Sequence, residues 1–170
     1  MSKGLPRSMT AGSPQASAVR KDVLSVRNAV VNVADGAPGF GTVVLSGLPQ
    51  GNLLYLGCVS YLQFETADAD VTATFDGDYS IGTTATADNV ISGSDADIVP
   101  STAFGAATAK LSPVIRGAST DALGGMVIDN TDGSLEMNLN VIIDDAAISG
   151  AAAFTVNGSV QIAYIVLGDD

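Results

Sequence analysis

The chain has 170 residues, a formal net charge of −11, a single cysteine and no histidine. Its length fits one domain with an extension, because domains commonly run to roughly 100–150 residues. Without histidine it can form no Ser-His-Asp triad, Cys-His dyad or histidine-ligated zinc site, and one cysteine cannot build a disulfide framework or a thiolate metal cage. The acidic balance repels nucleic acid and anionic membrane, so we expect neither as a main partner.

The N-terminal part of the chain differs in charge from the rest. Residues 1–27 hold five of the seven basic residues and one acid, which gives them a net charge of +4, whereas residues 28–170 have a net charge of −15. Residues 1–21 are rich in Pro, Gly and Ser and show no helical or strand period, so without a partner they should be extended or disordered. We therefore predict a basic extended N-terminal arm over 1–27 and a folded body over 28–170. Charge alone leaves open whether the arm binds a partner or is basic by chance.

No apolar run in the chain is long enough for a signal peptide near its start or for a membrane span, so we expect a chain made as a soluble protein. The body instead shows short apolar runs separated by Gly, Pro, Asn and Asp, which is typical of strands and turns. The predicted strands, about ten in number with uncertain ends, are 23–33, 42–46, 53–65, 71–75, 79–84, 89–92, 107–115, 126–129, 135–143 and 153–167.

The last predicted strand has the clearest pattern, since Val156, Val160, Ile162 and Tyr164 alternate with mostly polar residues. Many short strands without a βαβ rhythm favour an all-β fold. We predict an antiparallel β-sandwich or jelly roll, with a small barrel as the remaining alternative. Cys58 lies in an apolar run and is predicted to be a buried strand thiol. Residues 94–100 are either a short helical turn or an irregular connection.

Aspartates are the remaining candidates for chemistry. A pair of carboxylates could serve a glycosidase, but the chain has no tryptophan and few other aromatic residues for sugar stacking. Acidic segments could hold calcium, and the weak candidates are Asp76, Asp78, Asp129 and Asp132. Their neighbours are mostly Gly, Asn and Ser, so a role in turns is favoured. We expect no enzyme activity, no cofactor and no dedicated metal site.

Three segments together resemble the capsid decoration (cement) proteins of tailed bacteriophages: FDGDYSIGT at 75–83, SGSDADIVPS at 92–101 and the terminal strand pair within 133–168. The resemblance in strand and turn pattern extends over residues 40–168. It implies a β-sandwich or jelly-roll body, commonly a homotrimer, that sits on the lattice of the major capsid protein. It also implies an N-terminal extension that reaches over neighbouring capsid subunits.

We therefore expect a structural protein of the virion, synthesised in the host cytoplasm, that binds the outside of a capsid and stabilises it. The arm would be its anchor, because a tail that folds onto a partner covers much surface and arginine binds carboxylates bidentately. The residues expected to contact the shell are Leu5, Arg7, Met9, Arg20, Lys21 and Arg27. The alternatives are a receptor-binding or fibre-tip module that recognises host-surface carbohydrate and, less favoured, a carboxylate glycosidase.

Overall fold

The structure is a computed structural model that describes residues 19–36, 38–120 and 124–168. Its described residues form nine strands and two short 3₁₀-helices. The strands are β1 (Arg20–Val33), β2 (Gly39–Gly47), β3 (Gly51–Glu65), β4 (Gly77–Gly82), β5 (Val99–Phe104), β6 (Ile115–Ala118), β7 (Val127–Asn130), β8 (Glu136–Ile143) and β9 (Ala152–Gly168). The 3₁₀-helices are Gly93–Asp95 and Asp145–Ala147. No helix in the described ranges is long and apolar enough to cross a membrane.

The strands form two antiparallel sheets. In the five-stranded sheet the order is β1-β9-β3, and β6 and β7 pair with different parts of β3 along its other side. In the four-stranded sheet the order is β2-β8-β4-β5. Side chains from the two sheets meet in one core, and this confirms the predicted all-β antiparallel sandwich.

The order of pairing is nested. The first strand pairs with the last, β2 with β8, β3 with β6 and β7, and β4 with β5. Successive pairs lie in alternate sheets, the first in the five-stranded sheet and the second in the four-stranded one. This is the arrangement of a long hairpin that is wrapped into two Greek keys in a double sheet. The strand order therefore agrees with the predicted jelly roll.

The centre of the core is aromatic. Phe64 of β3 stacks on Phe104 of β5 with ring centroids 4.7 Å apart, and Phe75 meets Phe154 of β9 edge-on at 5.1 Å. Each ring is fully buried. Because the contact between Phe64 and Phe104 joins a strand of each sheet, it fixes how the sheets face one another.

Two predicted strands are absent, a third overlaps the observed strand at one residue only, and one strand was missed. Residues 71–75 form only an isolated bridge, in which Val71 pairs with Ile148, and residues 89–92 are loop. Residues 107–115 also form isolated bridges, and the strand there is β6, which begins at Ile115. The missed strand is β5, which includes Pro100 and pairs with β4 alone. Proline is tolerated in β5 because an edge strand can leave one side of its backbone unpaired.

The segment between β4 and β5 contains a helical turn that begins one residue earlier than predicted. It is the 3₁₀-helix Gly93–Asp95, and Ser92 at its start makes no side-chain cap hydrogen bond. The predicted range ends too late, because Val99 and Pro100 already belong to β5.

The boundary predicted between arm and body also changes. Strand β1 begins at Arg20, where it pairs with Tyr164 of β9, and the ladder continues to the pair Val33 with Ala152. Leu24 and Val26 point inward from this strand and pack in the core. Residues 20–27 are therefore an ordered part of the five-stranded sheet, because alternate side chains of this stretch contribute to the core.

Candidate interface on the five-stranded sheet

The outward side of the five-stranded sheet is open in the described structure. Along β3, Leu53, Tyr55, Cys58, Ser60, Leu62 and Phe64 are buried. The alternate positions point away from the core, and directly paired residues on neighbouring strands point to the same side. The register therefore places Tyr61 between Ser159 of β9 and Arg116 of β6, and Val59 between Gln161 and Ala118. We call this outward side the outer face.

The outer face carries exposed apolar side chains on four of its strands. The large hydrophobic side chains exposed on strands of this sheet are Val23 and Val30 of β1, Leu56 and Tyr61 of β3, Val127 of β7 and Leu167 of β9. Val23 is 60% exposed and Tyr61 41%. On the central strand β9 the outward positions beside them include Thr155, Ser159 and Gln161, so the apolar side chains of this face are interspersed with polar ones.

Its charge also contrasts with that of the body. The described residues include 15 acids and five cations. Three of these cations, Lys21, Arg27 and Arg116, lie at outward positions of β1 and β6. The acids at outward positions of the five-stranded sheet are Glu65 and Asp129. The outer face is thus slightly basic on a strongly acidic protein.

A shallow groove of about 330 Å³ crosses the outer face between two of these cations. Lys21 and Arg116 lie on its lining, together with Val59, Gln161 and Ala163. Strand β3 is irregular here, because its register with β9 shifts between Tyr55 and Gly57. The groove could receive an apolar side chain with a carboxylate beside it, since both charged groups on its lining are donors.

Cys58 lies under this groove and is buried, as predicted. Its backbone N–H donates to Ser119 Oγ at 3.0 Å. Burial raises the pKa of the Cys58 thiol to about 12. Because the thiolate is the nucleophilic form, this group is poorly suited to covalent chemistry at neutral pH.

The residues predicted to contact a shell fall into three places. Leu5, Arg7 and Met9 lie outside the described residues. Lys21 and Arg27 are on the outer face, at positions of β1 that alternate with buried ones. Arg20 is exposed on the opposite side of β1, where its partner across the ladder is Tyr164.

Asp129 and Asp132, two of the calcium candidates, act as turn residues. Asp129 Oδ1 accepts from Thr131 Oγ1 at 2.8 Å and from its N–H at 3.1 Å. Asp132 Oδ1 accepts from the N–H and the hydroxyl of Ser134. These hydrogen bonds lower the pKa of both exposed carboxyls. The turn role favoured from the sequence is therefore what these two side chains perform.

Asp76 and Asp78, the other two candidates, lie at the start of β4 near Asp144. Burial, and then the negative charges of Asp76 and Asp78, raise the pKa of Asp144. Within the part of the chain that the structure describes, no group of three or more His, Cys, Asp or Glu residues has an arrangement that could hold a metal ion.

The sequence interpretation missed two features. Arg116 lies on the outer face because β6 pairs with β3. The sequence marked it only as one of the two cations after residue 27. The buried asparagines Asn130 and Asn140 also escaped notice. Asn130 Nδ2 donates to the carbonyls of Leu48 and Pro49, and its Oδ1 accepts from the N–H of Leu135.

Comparison with known proteins assigns the chain to no family. No protein-family model matches the chain, and no curated protein matches it. A chain in the structure of infectious bursal disease virus, Gx strain, is similar to it at a TM-score of 0.42 and 14% sequence identity. That match covers 96% of this chain and 37% of the viral chain, so the present chain spans just over a third of its length.

Proposed function

We propose that this protein is a structural component of a bacteriophage virion that binds the outside of the capsid lattice and stabilises it, with the N-terminal arm as its anchor. The observation that carries the proposal is the outer face, which has exposed apolar side chains and is slightly basic on a body with a large excess of acids. Such a face suits a protein partner whose exposed groups include carboxylates, because arginine and carboxylate pair bidentately.

The charge distribution supports a protein partner over other classes. A body with 15 acids and five cations among its described residues would repel phosphate and anionic headgroups at most orientations. The same repulsion leaves the outer face as the favourable side for approach to an acidic protein surface. We propose the major capsid protein as that partner and the capsid surface as the site of action.

The segments that carry the resemblance to decoration proteins lie in adjacent parts of the fold. Residues 75–83 contain β4, residues 92–101 contain the 3₁₀-helix Gly93–Asp95 and the start of β5, and residues 133–168 contain β8 and β9. Strands β8, β4 and β5 are neighbours in the four-stranded sheet. We propose that this sheet faces away from the shell, and that three copies associate as the resemblance implies.

We propose that the protein acts by binding and not by catalysis. The acidic turn at 129–132 uses its carboxylates to accept hydrogen bonds from its own backbone and hydroxyls. The Cys58 thiol is buried, and burial raises its pKa. Both kinds of group therefore serve the fold, which is what a structural protein requires.

The test compares two substitutions that each remove one positive charge. Arg116→Gln removes a cation from the outer face, whereas Lys110→Gln removes one whose Nζ donates to the carbonyl of Asp68 on another part of the surface. Occupancy is measured by cosedimentation with purified capsids that lack the protein. We expect Arg116→Gln to weaken binding about tenfold, on the order of the 1.5–3 kcal/mol of a charged hydrogen bond, and Lys110→Gln to leave it unchanged.

A second variant tests the arm. Deletion of residues 2–18 removes the arm but leaves β1 complete, so loss of capsid binding would be assigned to the arm alone. Equal occupancy of capsids by wild type, Arg116→Gln and the deletion would refute the proposed site. Binding of the wild-type protein to host glycans and not to capsids would instead favour the receptor-binding module.

A further inference from the structure

Three cations of the outer face have no partner of their own. Among the described residues, the side chains of Lys21, Arg27 and Arg116 make neither an ion pair nor a hydrogen bond. The other two described cations, Arg20 and Lys110, each interact with another residue. Because acids outnumber cations by 15 to five in this part of the chain, free cations gathered on one face leave there a field that attracts anionic groups.

The acids closest to the groove on the outer face do not neutralise it. Asp22 follows Lys21 but points to the other side of β1, where its carboxylate accepts from the Tyr164 hydroxyl at 2.6 Å. Asp129 and Glu65, the outward acids of the sheet, lie beside the two ends of β3. They are five or more residues from the stretch of β3 that lines the groove, or roughly 16 Å at about 3.3 Å per residue. The groove is therefore free to receive acids from a partner.

The floor of the groove consists of small residues. Gly57, Ala118 and Ala163 line it together with Val59. The sheet pairs Gly57 with Ala163, and Val59 with Ala118, so side chains no larger than a methyl group stand where larger ones would fill the outer face. The volume of about 330 Å³ is within the range of ligand sites, roughly 300–1,000 Å³. This leaves room for an apolar side chain and the atoms beside it.

Lys21 and Arg116 lie at opposite ends of this floor. Lys21 pairs with Ala163, which pairs in turn with Gly57. Arg116 pairs with Tyr61, which is four residues further along β3 than Gly57. At about 3.3 Å per residue and about 4.8 Å per strand spacing, the Cα atoms of the two cations are roughly 13 Å apart along the strands and roughly 14 Å apart across them, or about 19 Å in all. Both side chains line the groove, so they reach toward each other over its floor.

An extended acidic peptide matches this arrangement. In an extended chain, residues i, i+2 and i+4 face the same side, and the first and last are about 13 Å apart. Acids at these two positions bring their carboxylates to Lys21 and Arg116, and the side chains span the remaining separation. An apolar side chain at the middle position lies over Val59. Arginine binds carboxylates bidentately, and the side-chain amide of Gln161 on the groove lining adds a donor for the peptide backbone.

We propose that this groove binds an extended segment of a protein partner in which two carboxylates four residues apart flank an apolar side chain. The inference rests on the proposed function, because it gives the chemistry of the segment through which a capsid protein is bound at the outer face. The apolar residue supplies contact area on the small-residue floor, while the two carboxylates fix the register of the segment on the sheet. Such a segment binds the free protein as well, so the groove can be tested without capsids.

The test titrates the isotope-labelled full chain with the synthetic peptide acetyl-Glu-Ser-Val-Ser-Glu-amide. We expect saturable shifts of the backbone amide signals of Val59, Ala118 and Ala163. The peptide in which both Glu are replaced by Gln should bind at least about tenfold more weakly, because it loses the charged hydrogen bonds. No saturable shift with the Glu peptide, or equal affinity of the two peptides, would overturn the proposal.

Inorganic phosphate tests whether any anion suffices. At the concentration that saturates the groove with the Glu peptide, we expect phosphate to leave the three amides unshifted, because it has no apolar group for the floor and does not span the two cations. Shifts as large as those caused by the peptide would refute a site for this kind of segment.

Single substitutions separate the groove from the net charge. Arg116→Gln and Lys21→Gln should each weaken binding of the Glu peptide about tenfold. Arg27→Gln removes a cation of the same face that does not line the groove, and it should leave the affinity unchanged. Ala163→Leu keeps every charge but fills the floor, so it should weaken binding too. Equal losses in Arg27→Gln and Arg116→Gln, or full affinity in Ala163→Leu, would contradict the proposal.

The two proposals fail separately. If Arg116→Gln weakens binding to capsids but the peptide shifts none of the three amides, the inference about the groove is wrong and the proposed function stands. If the peptide binds in the groove but capsids do not bind the protein, the proposed function is wrong. The groove is then specific for an acidic segment of another partner.

Discussion

Asn140 of β8 should be one of the most sensitive polar positions in the protein. It is fully buried and fastens the segment between β4 and β5. Its Oδ1 accepts from the N–H of Thr86 at 2.8 Å, and its Nδ2 donates to the carbonyls of Thr84 at 3.0 Å and Asp95 at 2.9 Å. All of its usual hydrogen-bonding capacity except one lone pair is thus used within the protein.

The substitution Asn140→Ala removes three hydrogen bonds and leaves the Thr86 N–H buried without that acceptor. At about 1 kcal/mol for each of the two bonds from Nδ2, and about 1–3 kcal/mol for the unsatisfied Thr86 N–H, we expect the free energy of unfolding to fall by about 3–5 kcal/mol. That is a large part of the 5–15 kcal/mol typical of a domain.

Asn138→Ala is the matched control. Asn138 lies two residues earlier on the same strand and is also buried, but its Nδ2 donates to the nearby carbonyl of Glu136 at 3.2 Å. We expect this variant to lose about 1 kcal/mol from that bond. Urea unfolding gives both values, and amide exchange at Thr86 should accelerate in Asn140→Ala alone. The reasoning is wrong if the two variants lose equal stability or if Thr86 exchange is unchanged.

Three further predictions concern other parts of the fold. Gly158→Ala should destabilise the protein by about 2–4 kcal/mol, because this glycine has φ +146° and an added Cβ would lie 1.9 Å from the Tyr61 carbonyl oxygen. In the control Gly47→Ala the added Cβ has no atom within 4 Å, so thermal unfolding should be nearly unchanged. Cys58 should react with a thiol reagent such as Ellman's at the rate of unfolding; rapid modification of the native protein would contradict its burial. Burial raises the pKa of Asp97, so the native state holds that proton more tightly than the unfolded state. The stability deficit of wild type relative to Asp97→Asn should therefore be largest at neutral pH and shrink as pH falls toward about 4, the pKa of an unfolded Asp. A difference in stability between wild type and Asp97→Asn that does not change with pH would contradict a raised pKa of Asp97.

Local pattern was sufficient for the long strands and insufficient for the short ones. Strand β9 was predicted closely because its inward residues, among them Val156 and Tyr164, recur with a period of two over many positions. Residues 71–75 show a similar pattern, but they belong to a loop that covers the core and buries its own Val71 and Phe75. The backbone of this loop is held by other segments, since the N–H of Thr72 donates to the carbonyl of Ala147 and the carbonyl of Phe75 accepts from the N–H of Ala107. Burial of alternate residues is therefore not unique to a ladder.

The candidate interface depended even more on distant pairing. Lys21 and Arg27 were predicted to contact a shell, but they were assigned to an arm because of their neighbours in sequence. Their position on the outer face follows from the pairing of β1 with β9, which joins the two ends of the chain. Arg116 joins them only through β3. A sequence gives no register between strands so far apart, and so it could name two of these cations without placing them on one surface.

Strand β1 allows the two tests of the proposed function to be interpreted separately. Its outward residues Lys21 and Arg27 lie on the outer face, while Val26 on the other side of the strand is buried in the core. Because alternate residues of one strand face opposite sides, a substitution at Lys21 or Arg27 changes the outer face without removing a core side chain. Deletion of residues 2–18 leaves the whole strand in place. A loss of capsid binding is therefore assigned to the outer face in the first case and to the arm in the second, and not to a loss of the core.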